Sequence, residues 1–311
     1  MENKDFAVFI LTHGRPDNVK TAKTLKRCGY TGRVYFIVDN EDRTIDKYIK
    51  NFGAENVVVF DKKRMADEVD EGNNFDERRT ITHARNACFE IARDLGITYF
   101  IQLDDDYTDF RYKINQNKEY IYKKLIKNLD KTFDTLLRYY RSMNCLSLAM
   151  AQGGDFFGNA DDWNAGRTKL ASHRKCMNSF ICSVNRPFRF VGAMNEDVNT
   201  YTTLGSRGGL FLTTEYLALQ QAATQSQGGG ITDMYKRYGT YCKAFTTVMM
   251  YPSGAEVAIL NCNNPRIHHS IKWVNTVPMI IDEKYKINRV DREKDIEAAK
   301  RYPAKRGRRE E

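Results

Sequence analysis

The sequence predicts an α/β fold: a mostly parallel central sheet flanked by helices, followed by an irregular α+β half. Three observations point there. Apolar runs of strand length alternate with helical repeats between Phe6 and Leu103. The runs are continuous instead of alternating with polar residues, as in Phe6–Leu11 and Val57–Phe60, which is expected of strands covered on both faces. Beyond Leu146 the regularity fades into short strand-like runs between loops rich in Gly, Asn and Gln, the usual substrate-selecting part of an enzyme.

Taken in order, Phe6–Leu11 is the first strand. Pro16 and Asp17 can open a helix with Val19, Ala22 and Leu25 on its apolar face and Gly29 past its end. Val34–Val38 reads as a second strand, Arg43–Phe52 as a short helix stopped by Gly53, and Val57–Phe60 as a third strand. An acidic loop, Asp67–Glu71, comes next. From Asp76 to Leu95 the residues Ile81, Ala84, Cys88, Ile91 and Leu95 recur at helical spacing, and Gly96 supplies the stop. Tyr99–Leu103 is the fourth strand, and β and α units in such alternation imply a parallel, doubly wound sheet. Residues Tyr120–Tyr140 read as a long amphipathic helix with lysines on its outer face. Later strand-like runs are Leu146–Met150, Phe180–Val184, Leu210–Thr213 and Thr246–Tyr251. No internal repeat is visible, and only Gln225–Gly230 approaches low complexity.

The 311 residues are 41% apolar, enough for one substantial core or two fused ones. No apolar run reaches the roughly 18 residues of a membrane span, and Met1–Asp5 carries no apolar signal region. The expected location is therefore a cytoplasm, with no membrane partner. Seven cysteines, an odd number without a Cys-x-x-Cys pair, argue against a disulfide framework and a structural zinc site. The net charge of +9 favours an anionic partner, nucleic acid or a phosphorylated substrate. Eleven Lys or Arg fall between Lys284 and Arg309, readable either as a solvated tail or as a nucleic-acid-tethering arm.

The strongest chemical signal is Asp104-Asp105-Asp106 at the end of the fourth strand. Residues i and i+2 of a strand share a face, so Asp104 and Asp106 can converge. Two bare carboxylates repel unless a cation lies between them. Hard oxygen ligands suit Mg²⁺ or Mn²⁺, a metal commonly shared with substrate phosphates, and the carboxyl edge of an open α/β sheet is where ligands bind. The competing reading is a solvated acidic turn. Two other strand ends belong to that edge. In Thr12-His13-Gly14-Arg15-Pro16, Gly14 permits close backbone approach and Arg15 can meet a phosphate or a base. Asp39 can accept from ribose hydroxyls or a uracil edge, or serve as a turn residue before a helix.

Arg79, His83 and Asn86 form a polar stripe on the helix ending at Leu95, with Arg85 off it; such a stripe is a solvent face or one overlooking a donor. Glu196-Asp197, after Asn195, offers a general base or a helix N-terminus favoured by the macrodipole. The pair His268-His269 can complete a metal shell or be structural. Phe156, Phe157 and Trp163, with His173 and Arg174 in the loop Lys169–Lys175, mix cations and aromatics. That mixture fits an unstacked base, a sugar platform or an ordinary rim.

In this order the motifs resemble the GT-A glycosyltransferases: the loop Thr12–Pro16, the acid Asp39, an Ala84-Arg85-Asn86 helix, a D-x-D at Asp104–Asp106, the pair Glu196-Asp197 and a late His. The resemblance covers residues 6–270. Within GT-A enzymes the chain is most similar to the phage TET/JBP-associated glycosyltransferases, implicated in glycosylating hydroxymethylated pyrimidines in DNA. The resemblance implies one GT-A-like, Rossmann-like domain over 1–280, with a nucleotide-sugar half (1–110), an acceptor half (111–280) and a basic tail (281–311). It implies a UDP-sugar co-substrate, and Mn²⁺ or Mg²⁺ on Asp104 and Asp106 with His268 or His269. Thr12, Arg15 and Asp39 would contact the nucleotide, and Arg85, Asn86 and Asp104 the diphosphate-sugar. Asp197, helped by Glu196, would be the base of an inverting hexosyl or pentosyl transfer to hydroxymethylated DNA in a bacterial host cytoplasm. A third aspartate at 105 and a doubled histidine depart from the pattern and leave the ligand choice open. Three rivals remain: the same fold acting on a soluble glycan or protein, a sugar-nucleotide nucleotidyltransferase, and a non-catalytic basic DNA-binding protein. The second lacks its usual Gly-rich, Lys-bearing loop around Gly14. Clustered acids at the presumed site count against the third.

Overall fold

Strand β1 (Phe6–Leu11) is buried at all six positions. Its side chains alternate between two cores, Phe6, Val8 and Ile10 on one face and Ala7, Phe9 and Leu11 on the other. A strand with no wet side has no polar register to show, and this is why the sequence reads as an unbroken apolar run. In the computed structural model the described residues are 4–71, 78–115, 117, 119, 121, 124–152, 170–171 (backbone only), 175–221, 239, 241–260, 265–278, 280, 281, 283 and 286.

β2 (Arg33–Asp39) and β4 (Tyr99–Asp104) lie parallel to β1 on either side, and β3 (Val57–Phe60) is parallel to β2. Helix α1 (Lys20–Arg27) joins β1 to β2, α2 (Ile45–Phe52) joins β2 to β3, and α3 (Lys62–Asp67) and α4 (Thr82–Asp94) join β3 to β4. This is the doubly wound arrangement expected from the alternating pattern. Five further strands complete the sheet: β5 (Tyr107–Tyr112), β6 (Ser147–Gln152), β7 (Leu170–Ala171), β8 (Ser179–Ser183) and β9 (Phe211–Gln221). The order is β3-β2-β1-β4-β8-β6-β9-β5, with β7 paired to β9. β8 enters antiparallel to β4, and β6 and β9 restore a parallel pair.

Helices α1, α2 and α5 (Leu129–Met143) cover one face; α3, α4 and α6 (Glu196–Gly205) cover the other. Phe133 of α5 anchors the first core, its ring 5.9 Å from Phe6, 5.4 Å from Tyr30 and 6.1 Å from Phe110. Truncating such a buried ring costs about 3–5 kcal/mol. The chain continues through α7 (Cys242–Met250), the antiparallel hairpin β10 (Ala255–Leu260) and β11 (Arg266–Ile271), and α8 (Trp273–Thr276). The hairpin packs on α7.

Five expectations need correction. The helix expected to open at Pro16 and Asp17 starts at Lys20, with Pro16 and Asp17 in the turn ahead of it and Val19 as its cap. The helix read over Tyr120–Tyr140 starts only at Leu129. Asn128 caps it by accepting from Lys131 N at 2.9 Å, while the residues ahead pair with β5: Leu125 bridges Arg111, and Ile126 N donates to Phe110 O at 2.9 Å. The run Thr246–Tyr251 is the second half of α7 and its end, not a strand. A short apolar run fits either period, and here Ala244 and Thr247 share the buried side of a helix. Helix α3 was absent from the sequence reading; Asp61 caps it by accepting from Arg64 N at 3.0 Å. Helix α4 begins at Thr82 instead of near Asp76, so Arg79 stands exposed before it, and the Arg79–His83–Asn86 stripe does not form. His83 and Asn86 are buried.

The cysteines at 28, 88, 145, 176, 182 and 242 are free, all but Cys242 buried. No helix among the described residues is long and apolar enough to cross a membrane. Phe156, Phe157, Trp163, Lys169, His173, Arg174, Gln225–Gly230, Cys262 and the tail beyond 286 lie outside the described residues.

Candidate active site at the carboxyl ends of the parallel strands

Because β1, β2 and β4 run parallel, their carboxyl ends share one edge, with Leu11 opposite both Ile37 and Asp104. The three-aspartate turn is held there by α1. Thr21 N donates to Asp105 O at 3.1 Å, Thr21 Oγ1 donates to Asp104 O at 2.5 Å, and Tyr107 N donates to Thr21 Oγ1 at 2.9 Å. Thr21 is fully buried, so these bonds lie away from competing water.

The three aspartates then have three different surroundings. Asp105 turns inward: Thr12 Oγ1 donates to it at 2.8 Å and Arg15 Nη1 at 3.1 Å. Burial raises its pKa, and the neighbouring Arg15 and Thr12 oppose the rise. Asp104, with its side chain 22% exposed, accepts from Arg85 Nη2 at 3.0 Å. Asp106 keeps a buried Oδ1 with no hydrogen-bond partner. Burial, then the charges of Asp104 and Asp105, push its pKa up to about 7.

A divalent cation bound here would give the orphaned Asp106 oxygen a partner and relieve the repulsion from Asp104. The residues therefore fit Mg²⁺ or Mn²⁺. Among the described residues no group of three or more His, Cys, Asp or Glu is placed to hold a metal by itself.

Arg85 on α4 links the two halves of the site. Its guanidinium donates from Nε to Glu196 Oε1 at 2.9 Å as well as to Asp104. It lies 4.9 Å from the Phe180 ring centroid and 5.7 Å from that of Phe190. Burial disfavours the charge, but Asp104 and Glu196 outweigh it and raise the pKa. Its Nη1 is buried without a partner. Gln102 of β4, also fully buried, donates to Arg85 O at 2.9 Å. The neighbouring Asn86 uses both ends of its amide on Phe190, Nδ2 to the carbonyl at 3.0 Å and Oδ1 from the N–H at 2.8 Å. Asn86 thus ties α4 to the segment leading to the second acidic pair.

That pair opens α6. Asn195, in the left-handed region at φ 53°, donates from Nδ2 to Lys243 O at 2.8 Å and to Thr247 Oγ1 at 2.9 Å. The same Nδ2 lies 3.2 Å from His269 Nδ1. Glu196 is engaged by Arg85. Asp197 is 6% exposed and accepts from Val198 N at 2.7 Å. Burial, then the Glu196 charge, push its pKa up to about 7. Of the two acids, Asp197 has the surroundings of a group able to take a proton near neutrality.

The first two strand loops are stitched to each other. His13 Nδ1 lies 2.6 Å from Asp39 Oδ2, and Lys62 Nζ donates to Asp39 Oδ1 at 3.4 Å. Burial would raise the Asp39 pKa, but His13 and Lys62 more than reverse it and the net shift is downward. Gly14, at φ +68°, donates its N–H to Asp42 Oδ2 at 2.6 Å. Tyr48 Oη accepts from Arg15 N at 2.8 Å and lies 2.9 Å from Thr12 Oγ1.

His268 and His269 sit on β11 with ring centroids 4.2 Å apart, and His268 Nδ1 donates to His269 O at 2.8 Å. Burial, then His268, lowers the His269 pKa to about 4. Burial and nearby cations lower that of His268. Direct bonds therefore tie Thr12 and Arg15 to Asp105, and Arg85 to both Asp104 and Glu196, with Asp106 and Asp197 beside them in the chain and Asp39 held on the same edge by His13 and Lys62. Thr21, Tyr48, Phe180, Phe190 and Lys243 were not singled out in the sequence and carried no local signal. Gln102, a lone polar residue inside an apolar strand, did carry one.

A model of the TET-associated glycosyltransferases matches residues 6–230. No curated protein matches the chain. Among solved structures it is similar to residues 1–349 of S. aureus TarS in complex with UDP, at 9% identity and a TM-score of 0.43, over 79% of this chain and 65% of that one. The chain thus spans just under two thirds of that relative. It is also similar to glucosyl-3-phosphoglycerate synthase from Mycobacterium tuberculosis in complex with Mn²⁺, UDP and phosphoglyceric acid, at 11% identity over 88% of both chains and a TM-score of 0.43. A third is the mannosyltransferase PcManGT from Pyrobaculum calidifontis in complex with GDP-Man and Mn²⁺, at 10% identity over 79% and 73%, with a TM-score of 0.43.

Proposed function

We propose that this chain, which belongs to the TET-associated glycosyltransferase family, moves a sugar from a UDP-linked donor to a 5-hydroxymethylpyrimidine in DNA by a metal-dependent, inverting reaction. The observation that carries this reading is the buried, partnerless Oδ1 of Asp106 beside Asp104 at the end of β4.

Asp104 and Asp106 would hold Mg²⁺ or Mn²⁺, which when bound neutralises charge on the leaving nucleotide, an effect worth several kcal/mol. The unsatisfied Nη1 of Arg85 donates to a donor phosphate oxygen, and the buried guanidinium keeps Asp104 and Glu196 in place. Asp197 takes the proton of the acceptor hydroxymethyl group as its oxygen forms the new bond to the anomeric carbon. The bond from that carbon to the diphosphate oxygen breaks, with the electron pair leaving on the nucleotide. Attack from the face opposite the leaving group inverts the anomeric centre. Thr12 and Arg15 shape the nucleotide side through Asp105, and Asp39 does so through His13. The His268–His269 pair belongs to the acceptor side, because Lys175, Lys243 and Arg266 around His268 repel a divalent cation.

The test is incubation with UDP-sugars and Mn²⁺ on plain and hydroxymethylated DNA, followed by mass spectrometry of the released nucleosides. A sugar on the modified base alone, lost on chelation, is the expected result. No transfer to hydroxymethylated DNA from any donor, with transfer to a soluble glycan or protein instead, would replace the acceptor with the rival one.

A further inference from the structure

Cations of the later half of the chain gather beside the candidate base. His268 lies within electrostatic reach of Lys175, Lys243 and Arg266, and Lys243 within reach of Arg266 and Asp197. They come from separate elements: Lys175 from the segment before β8, Lys243 from the first turn of α7, and Arg266 and His268 from β11, where spacing i, i+2 puts both on one face.

Backbone and neighbouring hydrogen bonds help to place them. Asn195, the residue before Glu196-Asp197, receives α7 by donating to Lys243 O and Thr247 Oγ1, and it touches His269 of β11. Thr213 Oγ1 of β9 donates to Lys175 O at 2.9 Å. The Asn195 junction therefore holds α7 and β11, with Lys243, Arg266 and His268, against the turn that carries Asp197, while β9 holds Lys175. Arg266 is exposed while Lys175, Lys243 and His268 are half-buried, and of the four Lys243 lies within electrostatic reach of Asp197. Burial, then the Arg266 charge, lowers the Lys243 pKa. Like charges drawn together under partial burial repel, and a bound anion removes that repulsion.

We propose that Lys175, Lys243, Arg266 and His268 form a cradle for a backbone phosphodiester of the acceptor strand, beside Asp197. A phosphodiester carries a full negative charge, suited to the point charge of lysine and the forked donors of arginine. Held there, the strand brings the hydroxyl of its modified base to the carboxylate that deprotonates it. This inference rests on the DNA-acceptor reading above. The donor diphosphate is the other source of phosphate on this protein, and its partners are the Asp104–Asp106 site and Arg85 Nη1.

The experiment measures fluorescence anisotropy of a labelled single-stranded oligonucleotide carrying 5-hydroxymethylcytosine over a salt series, and titrates UDP with Mn²⁺ by calorimetry on the same proteins. Removing both charges in K243Q/R266Q should weaken oligonucleotide binding at least about tenfold and flatten the log–log salt slope by about 0.7 for each charge removed. UDP affinity should stay unchanged. R266Q alone, at an exposed position with no effect on folding, should remove half of that slope change, and K243R should keep the wild-type slope. Unchanged oligonucleotide affinity and slope in R266Q would overturn the cradle. A fall in UDP affinity with oligonucleotide binding intact would also overturn it, assigning the cluster to the donor. If the wild-type protein binds no oligonucleotide yet glycosylates another acceptor, the DNA reading itself fails and the cradle falls with it.

Discussion

Asp39 and Asp106 stand on the same edge of the same sheet, at the ends of the two strands that flank β1, and their surroundings are opposite. Asp39 is met by His13, Lys62 and the Glu41 N–H, and its pKa is drawn down. Asp106 has two acidic neighbours and a partnerless buried oxygen, and its pKa is driven up to about 7. A carboxylate whose partners are all supplied by the chain shapes the site. A carboxylate left short of positive charge is the one proposed above to take a metal ion. Asp105, between the two metal candidates in sequence, resembles Asp39 in having partners from the chain, Thr12 and Arg15, although burial still raises its pKa.

The sharpest way to break this contrast is Asp106→Asn. It should lower kcat/KM by about 10³-fold or more, the scale of several kcal/mol of lost charge stabilisation. The metal-free fold should not be weakened, because a repelled buried carboxylate is removed. Transfer within tenfold of wild type, or a clear drop in melting temperature without metal, would count against the assignment.

Next is Asp197→Asn, with an expected loss of about 10²–10⁴-fold. The wild-type pH profile gives the same information. The base must be unprotonated to act, so with a pKa raised to about 7 the rate should fall about tenfold per unit below that pH. A profile flat down to about pH 5 would remove Asp197 from the role.

Arg85→Met tests the bridge between the two acidic groups. It leaves Asp104 and Glu196 without their shared buried cation and should destabilise the fold by about 3–5 kcal/mol in urea unfolding. A loss below 1 kcal/mol would mean that the acids do not depend on it.

The smallest effect belongs to the saturated side. His13 has a pKa raised chiefly by its bond to Asp39, and its side chain is 49% exposed. Since the folded pKa lies above the unfolded one, its contribution is fully present below about pH 6.5 and is lost as pH rises through the raised value. The difference in melting temperature between wild type and His13→Gln should therefore be largest below about pH 6.5 and shrink as the pH rises above it, with turnover changed less than about tenfold. A pH-independent difference would show that the pair acts through geometry alone.

Some of this was legible before any coordinates. The D-x-D turn after an apolar strand, the Ala84-Arg85-Asn86 helix and the pair Glu196-Asp197 stand where the edge of the sheet assembles them. The late apolar run Thr246–Tyr251 was misread because six residues fit two periods. The start of α5 was misplaced because Leu125 and Ile126 are apolar enough for a helix, yet they pair with β5. Arg85 lay off the polar stripe of its helix, and nothing local marked it as the buried link between Asp104 and Glu196.

The sequence by itself determined the parallel strands β1 to β4, the cores of β6, β8 and β9, the helices α1, α2 and α4, and which carboxylates follow β2 and β4 at the sheet edge, because those depend on backbone periodicity and on residues a few positions apart. Only the tertiary structure decided which of those carboxylates are satisfied. Thr12 reaches Asp105 across 93 positions and Arg85 reaches Glu196 across 111. The charge state of a buried acid is set by whatever lies within hydrogen-bonding reach of it, and here the packing of the sheet brings those groups from distant parts of the chain.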